Sequence, residues 1–309
     1  MMLRTTRSLS AKQLPAPVLF LVGGCSMYFG AGVAVRLFDQ LTPSGVAWLR
    51  LLGAAVVLLA WRRPGRDAWR GRRLVLAGVF GLTTALMNVV FYEAIARLPL
   101  GTAVAVEFAG PVAVAAFGTR TRRDLAALAL VVLGVGLIVD VRWSGSATGV
   151  VLAISAAALW AGYILVGKRV ATGGNGLDDL AVGFAVATVL LSPLAWGTGS
   201  VWGSPSLLGL AVGVGVLSSV VPYAIDQIVL RRVGQARFAL LLALLPATAT
   251  LMGLVTLWQV PSLSEALGIG AVVGGVALRS REGTRQDERA PAEPGTDPDP
   301  DPSSRSASR

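Results

Sequence analysis

Apolar residues fall into blocks of about 18–25 along the chain, separated by short polar or basic connections. At 1.5 Å of helical rise per residue, a block of that length crosses ~30 Å of hydrocarbon. The pattern predicts an all-α membrane protein with ten spans, at 16–36, 44–61, 74–96, 101–118, 124–141, 148–168, 179–197, 206–230, 237–257 and 262–279. The first block is too long for a signal-peptide core, and no small-residue cleavage site follows it. Residues 280–309 carry no apolar side chain beyond alanine and are expected to form a disordered tail.

The basic residues orient these spans. The amino terminus, the even-numbered connections and the tail hold 23 of the 27 lysines and arginines, six of them in "RRPGRDAWRGRR". The odd-numbered connections hold only Arg36, Arg97 and Arg142, and Arg50 lies inside a span. The positive-inside rule then places both termini in the cytoplasm. The net charge of +10 is therefore a topology signal, and no nucleic-acid partner is expected.

The two halves resemble each other. "SMYFGAGVAVR", ending at Arg36, matches "ALWAGYILVGK", ending at Lys168, at an offset of 132. "RLPLGTAVAVEFAGP", Arg97 to Pro111, matches "RVGQARFALLLALLP", Arg232 to Pro246, at an offset of 135. Five spans per copy is an odd number, so the second copy is expected upside down relative to the first. The expected units are residues 1–142 and 143–279, two inverted five-helix repeats, an architecture of secondary transporters.

Composition narrows the chemistry. The hydrophobic fraction is 54%, charged residues make up 14%, and mean hydropathy is +0.68. With no histidine in the chain, serine–histidine hydrolysis, histidine metal sites and imidazole relays are excluded. The single cysteine, Cys25, excludes an internal disulfide. No metal or other cofactor is expected. "GYILVGKR" imitates a phosphate loop, but Arg169 stands where a magnesium ligand belongs, and the stretch lies inside a span. The pairs Gly209/Gly213 and Gly270/Gly274 have the spacing of close helix packing.

Candidate chemistry concentrates in "NVVFYEAIARLPLGTAVAVEFAGPVAVAAF", Asn88 to Phe117. Glu93 stands four residues before Arg97, the favourable order for an interfacial helix ion pair. Glu107 has no such neighbour and lies six residues, roughly 9 Å, below the edge of its span. Arg50, six residues past Ser44, reaches a similar depth. The two either pair structurally or face each other across a watery cavity, with Glu107 serving substrate or proton. Pro111 removes the helical hydrogen bond to the Glu107 carbonyl, and Pro246 does the same at Leu242. Broken backbone at membrane depth is tolerated where it lines a cavity. Asn88 with Tyr92, Trp160 with Tyr163, and Tyr223 with Asp226 share helix faces nearby and complete the candidate set.

These segments and the duplicated halves resemble the EamA branch of the drug/metabolite transporter superfamily. Within it, "EFAGP" at Glu107–Pro111 is similar to the "EFTGP" of bacterial inner-membrane threonine/homoserine exporters. The resemblance covers residues 16–279 and implies export of small amino acids against proton influx, by alternating access and without enzymatic chemistry. The chain departs from such exporters at Leu245, where a glutamate usually precedes the proline, and at "LWQ", Leu257–Gln259, where many carry "LGE". Transport of a sugar, nucleotide-sugar or drug is the alternative within transport. A membrane-embedded lipid enzyme is the alternative outside it.

Overall fold

The computed structural model describes residues 14–118, 122–170 and 176–289. The described elements are helical: α1 (Ala16–Leu37), α2 (Pro43–Arg62), α3 (Gly71–Ile95), α4 (Leu100–Glu107), α5 (Ala109–Gly118) and α6 (Arg122–Val170). They continue as α7 (Gly176–Leu190), α8 (Gly199–Trp202), α9 (Pro205–Gly215), α10 (Val221–Leu242), α11 (Leu245–Leu257) and α12 (Leu263–Arg289).

Local chemistry sets their ends. Proline opens α1, α2, α9 and α11, where its missing N–H is not needed. The Thr42 side chain accepts from Gly45 N–H (3.1 Å) to cap α2. Ser262 and Glu265 form a reciprocal capping box at α12, with Ser262 N–H donating to Glu265 Oε2 (3.0 Å). Such caps contribute about 1 kcal/mol each.

Among the described residues, five helices are long and apolar enough to cross a membrane: Ala16–Leu37, Pro43–Arg62, Gly71–Ile95, Ser146–Leu165 and Pro205–Asp226. Four shorter apolar helices cover Leu100–Val114, Leu125–Ile138, Leu245–Leu257 and Leu263–Leu278. Val75, Val132, Leu133, Val151 and Val189 are each more than half exposed. An apolar surface of that kind belongs against lipid and is that of a membrane protein.

The structure corrects the expected pattern in three places. The seventh span is bent by 69° between Leu177–Leu190 and Ser192–Trp202. Pro193, which cannot continue the α7 hydrogen-bond ladder, is the cause. The expected fifth and sixth spans, by contrast, are separated where expected, by extended backbone at Ser146 (φ −160°, ψ 64°) within residues 122–170. The expected connection at 231–236 is helical within α10, and the chain turns instead at Ala243–Leu244, just before Pro246. "RRVGQAR" holds arginine, glutamine and alanine, good helix formers, and no proline, and Gly234 alone does not stop α10 there. Finally, α12 runs to Arg289, ten residues into the segment expected to be disordered, because arginine, glutamate and glutamine support helix without burial. The rest of that tail lies outside the described residues.

Glycine packing also differs from expectation. A Cβ added at Gly209, Gly213, Gly270 or Gly274 would meet nothing within 4 Å. Close approaches occur instead at other glycines, among them where α3 crosses α7: a Cβ at Gly81 would collide with the Gly183 carbonyl, and one at Gly183 with the Ala77 carbonyl. In a glycine-rich helix the four-residue spacing recurs on several faces, so spacing alone does not identify the buried one.

Side-chain bonds gather the connections at the two ends of the bundle. At one end Arg36 Nη2 donates to the Thr256 carbonyl (2.6 Å), and Gln259 Oε1 accepts from Leu100 N–H (2.9 Å). At the other end Arg62 pairs with Asp178 (2.9 Å) and Arg73 with Asp179 (2.7 Å).

Candidate functional site

The expected helix opening falls at Glu107. This residue ends α4, the chain turns at Phe108, and α5 resumes at Ala109 with Pro111 unable to donate to the Glu107 carbonyl. The Phe108 N–H still bonds the Val104 carbonyl (3.0 Å), and Val112 N–H reaches Phe108 (3.3 Å). The break is therefore one residue wide. Pro246 likewise follows the turn at Ala243–Leu244.

Glu107 is 7% exposed, and its side chain has no hydrogen-bond or ion-pair partner among the described residues. A structural pair with Arg50 is thereby excluded in this conformation. Arg50 is held by neutral groups instead. Its Nε donates to Ser219 Oγ (3.0 Å), Nη1 to Asn88 Oδ1 (2.6 Å) and Nη2 to the Ser218 carbonyl (2.8 Å). Its guanidinium carbon lies 5.5 Å from the centroid of the Tyr92 ring, a cation–π arrangement. Asn88 and Tyr92 meet Arg50 together because they are four residues apart on one face of α3. Asn88 is oriented in turn by donating from Nδ2 to the Thr84 carbonyl (2.7 Å).

Ser218 and Ser219 were not legible as site residues. They lie in a single π-helical turn, Val216–Val220, between α9 and α10. A π-turn displaces the i→i−4 pattern and frees carbonyls for other donors, and such turns are frequent at functional sites. Here the Leu217 carbonyl accepts from Ser26 Oγ (2.9 Å), and the Ser218 carbonyl accepts from Arg50. Ser218 Oγ donates to the Met27 carbonyl (3.1 Å), tying the turn to α1.

Tyr28 was also missed. It is buried on α1, where the charges of Glu107, Asp226 and Arg50 all act on its hydroxyl. Its position in the first repeat corresponds, at the offset of 132, to Trp160, which was the available signal. Asp226 is half-buried on α10, just beyond the π-turn. Tyr28 thus lies within electrostatic reach of a cation on α2, a carboxylate on α4 and a second carboxylate on α10.

The remaining candidates divide. Trp160 packs edge-on against Phe108 (centroids 4.8 Å apart), next to the α4–α5 break. Tyr163 stacks on Phe80 of α3 (4.8 Å), which makes it a packing contact between α6 and α3. Tyr223 lies on α10, and its side chain is outside the described residues. Glu93 forms the expected ion pair with Arg97 (2.7 Å) and also accepts from Ser44 N–H (3.1 Å) at the start of α2. A cavity of about 10 Å³ between α4 and α11, lined by Thr102, Thr250 and Gln259 among others, has room for one water and not for an amino acid.

Comparison with known proteins shows the family. The EamA-like transporter family matches residues 147–281, beginning beside the break at Ser146. The threonine/homoserine exporter RhtA of Salmonella typhimurium is 34% identical over 271 residues, covering 85% of this chain and 92% of the exporter. RhtA of Escherichia coli K12 is 33% identical over 260 residues, covering 83% and 88%. The uncharacterized transporter YwfM of Bacillus subtilis is 27% identical over 264 residues. A solved crystal structure superposes on 88% of this chain and 98% of its own, with a TM-score of 0.58 and 21% identity, which shows a shared fold. The chain belongs to the EamA-like transporter family, and it is a transporter rather than a membrane-embedded enzyme.

Proposed function

We propose that the protein exports small amino acids of the threonine/homoserine type across the bacterial inner membrane in exchange for protons. Residues 1–142 and 143–279 act as two inverted five-helix halves with both termini cytoplasmic, and they alternate access to a site between them. The observation that carries this reading is the identity of 33–34% to threonine/homoserine exporters over more than four fifths of the chain.

Geometry supports it further. This reading assigns its ten spans to the five long apolar helices, the bent pair and the four shorter apolar helices. The breaks at Phe108 and at Ala243–Leu244 fall at matching repeat positions, each shortly before a proline. Tryptophans flank both ends: Trp61 and Trp69 near the α2–α3 connection, and Trp196, Trp202 and Trp258 at the far end, each at least partly exposed. The Arg62–Asp178 and Arg73–Asp179 pairs join the connections that carry excess basic charge. Glu107 and Asp226 supply carboxylates for an ammonium or a proton, and Arg50 supplies the opposite charge.

Counterflow tests the substrate. Proteoliposomes preloaded with unlabelled threonine or homoserine should take up labelled threonine faster than protein-free vesicles, while sugar-loaded ones should not. Exchange driven by sugars alone would replace this reading with the sugar-transport one.

Labelling tests the orientation. Single cysteines at positions 200 and 173, in a Cys25→Ala background, should differ in reaction with an impermeant thiol reagent on intact cells. Position 200 should label and position 173 should not. The reverse pattern would invert the topology.

A further inference from the structure

We infer that Arg50 is the carboxylate-binding group of the transport site, so that the substrate is selected as a free carboxylate held by a guanidinium positioned from behind. This rests on the exporter reading above and adds to it which substrate group is recognised, and by what.

The argument begins with unmatched charge. A guanidinium carries five N–H donors and remains protonated under all physiological conditions. Among the described residues, three of those donors reach Ser219 Oγ, Asn88 Oδ1 and the Ser218 carbonyl, all of them neutral. Neutral acceptors orient the group without cancelling its charge. Two N–H donors are left over, and Arg50 is half-buried, so part of it stays accessible. Neither Glu107 nor Asp226 forms an ion pair with it among the described residues. A cation at membrane depth is costly unless an anion meets it. A ligand carboxylate with two oxygens suits a pair of guanidinium N–H groups.

Arg50 is also held more firmly than a packing arginine requires. Tyr92 backs one face. The π-turn supplying two of its acceptors is tied to α1 by the Ser26 and Ser218 hydroxyls. Gly215 brings the same segment against α2 itself, since a Cβ there would lie 2.9 Å from the Arg50 carbonyl. Three helices and a π-turn therefore fix the guanidinium before any ligand arrives. Such preorganisation favours a charge-assisted, two-point contact.

The test uses threonine and threonine amide, which differ only in the carboxylate. In counterflow by the wild-type protein, the amide should compete at least about tenfold more weakly than threonine, because a site built for a polar contact rejects the analogue lacking it. Arg50→Lys keeps the charge and loses the two-point geometry. It should raise the half-saturating threonine concentration about tenfold and narrow the threonine-to-amide difference to about twofold. An arginine that merely ties helices together would not set that ratio. Equal competition by the amide in the wild type would overturn the inference alone, as would unchanged discrimination in a well-folded Arg50→Lys protein. Absence of threonine counterflow in the wild type would overturn the exporter reading, and this inference with it.

Discussion

Glu107→Gln should abolish pH-gradient-driven threonine efflux while leaving the protein folded at wild-type abundance in the membrane. The carboxylate is buried at the α4–α5 break and has no partner among the described residues, so glutamine breaks no ion pair. Arg50 keeps its own neutral acceptors and loses no ligand. Removal of titration is thus separated from removal of structure. The expected loss is roughly a hundredfold or more, the scale on which a positioned proton-transfer group acts. If Glu107 carries the proton, threonine exchange without a gradient survives in the variant. If it holds the substrate ammonium, exchange fails as well. Reconstituted efflux and exchange, normalised to protein in the vesicles, distinguish the two. Wild-type pH-dependent transport by the variant would remove Glu107 from the mechanism.

The second large effect is expected far from the charges. Gly81→Ala should sharply reduce folded transporter, because the added methyl would occupy the position of the Gly183 carbonyl. Neither backbone can rotate away as a flexible side chain could, so α3 and α7 must separate. Overpacking of that kind costs about 3 kcal/mol. Gly209→Ala is the matched control, since a Cβ there meets nothing within 4 Å. Size-exclusion profiles in detergent and thermal midpoints should show a loss for the first and little change for the second. Equal stability of the two variants would contradict the α3–α7 contact.

Much of the fold could be read from the chain because lipid imposes simple rules. Block length gives spans, and proline at membrane depth gives breaks, as at Pro111. The Asn88–Tyr92 face and the Glu93–Arg97 pair depend only on helical spacing, and both formed. Contacts between distant segments were not readable. Ser218 and Ser219 lie 168 and 169 residues beyond Arg50, and in an apolar run they look like packing residues. Nothing in the sequence marks the π-turn that aims them at Arg50. Glu107 and Arg50 stood at similar depth, but depth says nothing of rotation about each helix, so their lack of contact needed the structure. The bend at Pro193 and the helical stretch at 231–236 were misplaced because hydropathy registers apolar length and not backbone direction.

The most direct measurement of the central claim is labelled threonine uptake by proteoliposomes with an acidic lumen. Proton exit should draw external threonine in above its equilibrium concentration, with homoserine competing and a protonophore abolishing the accumulation. A threonine flux no faster than in protein-free vesicles, with or without the pH gradient, would contradict amino-acid export by proton exchange.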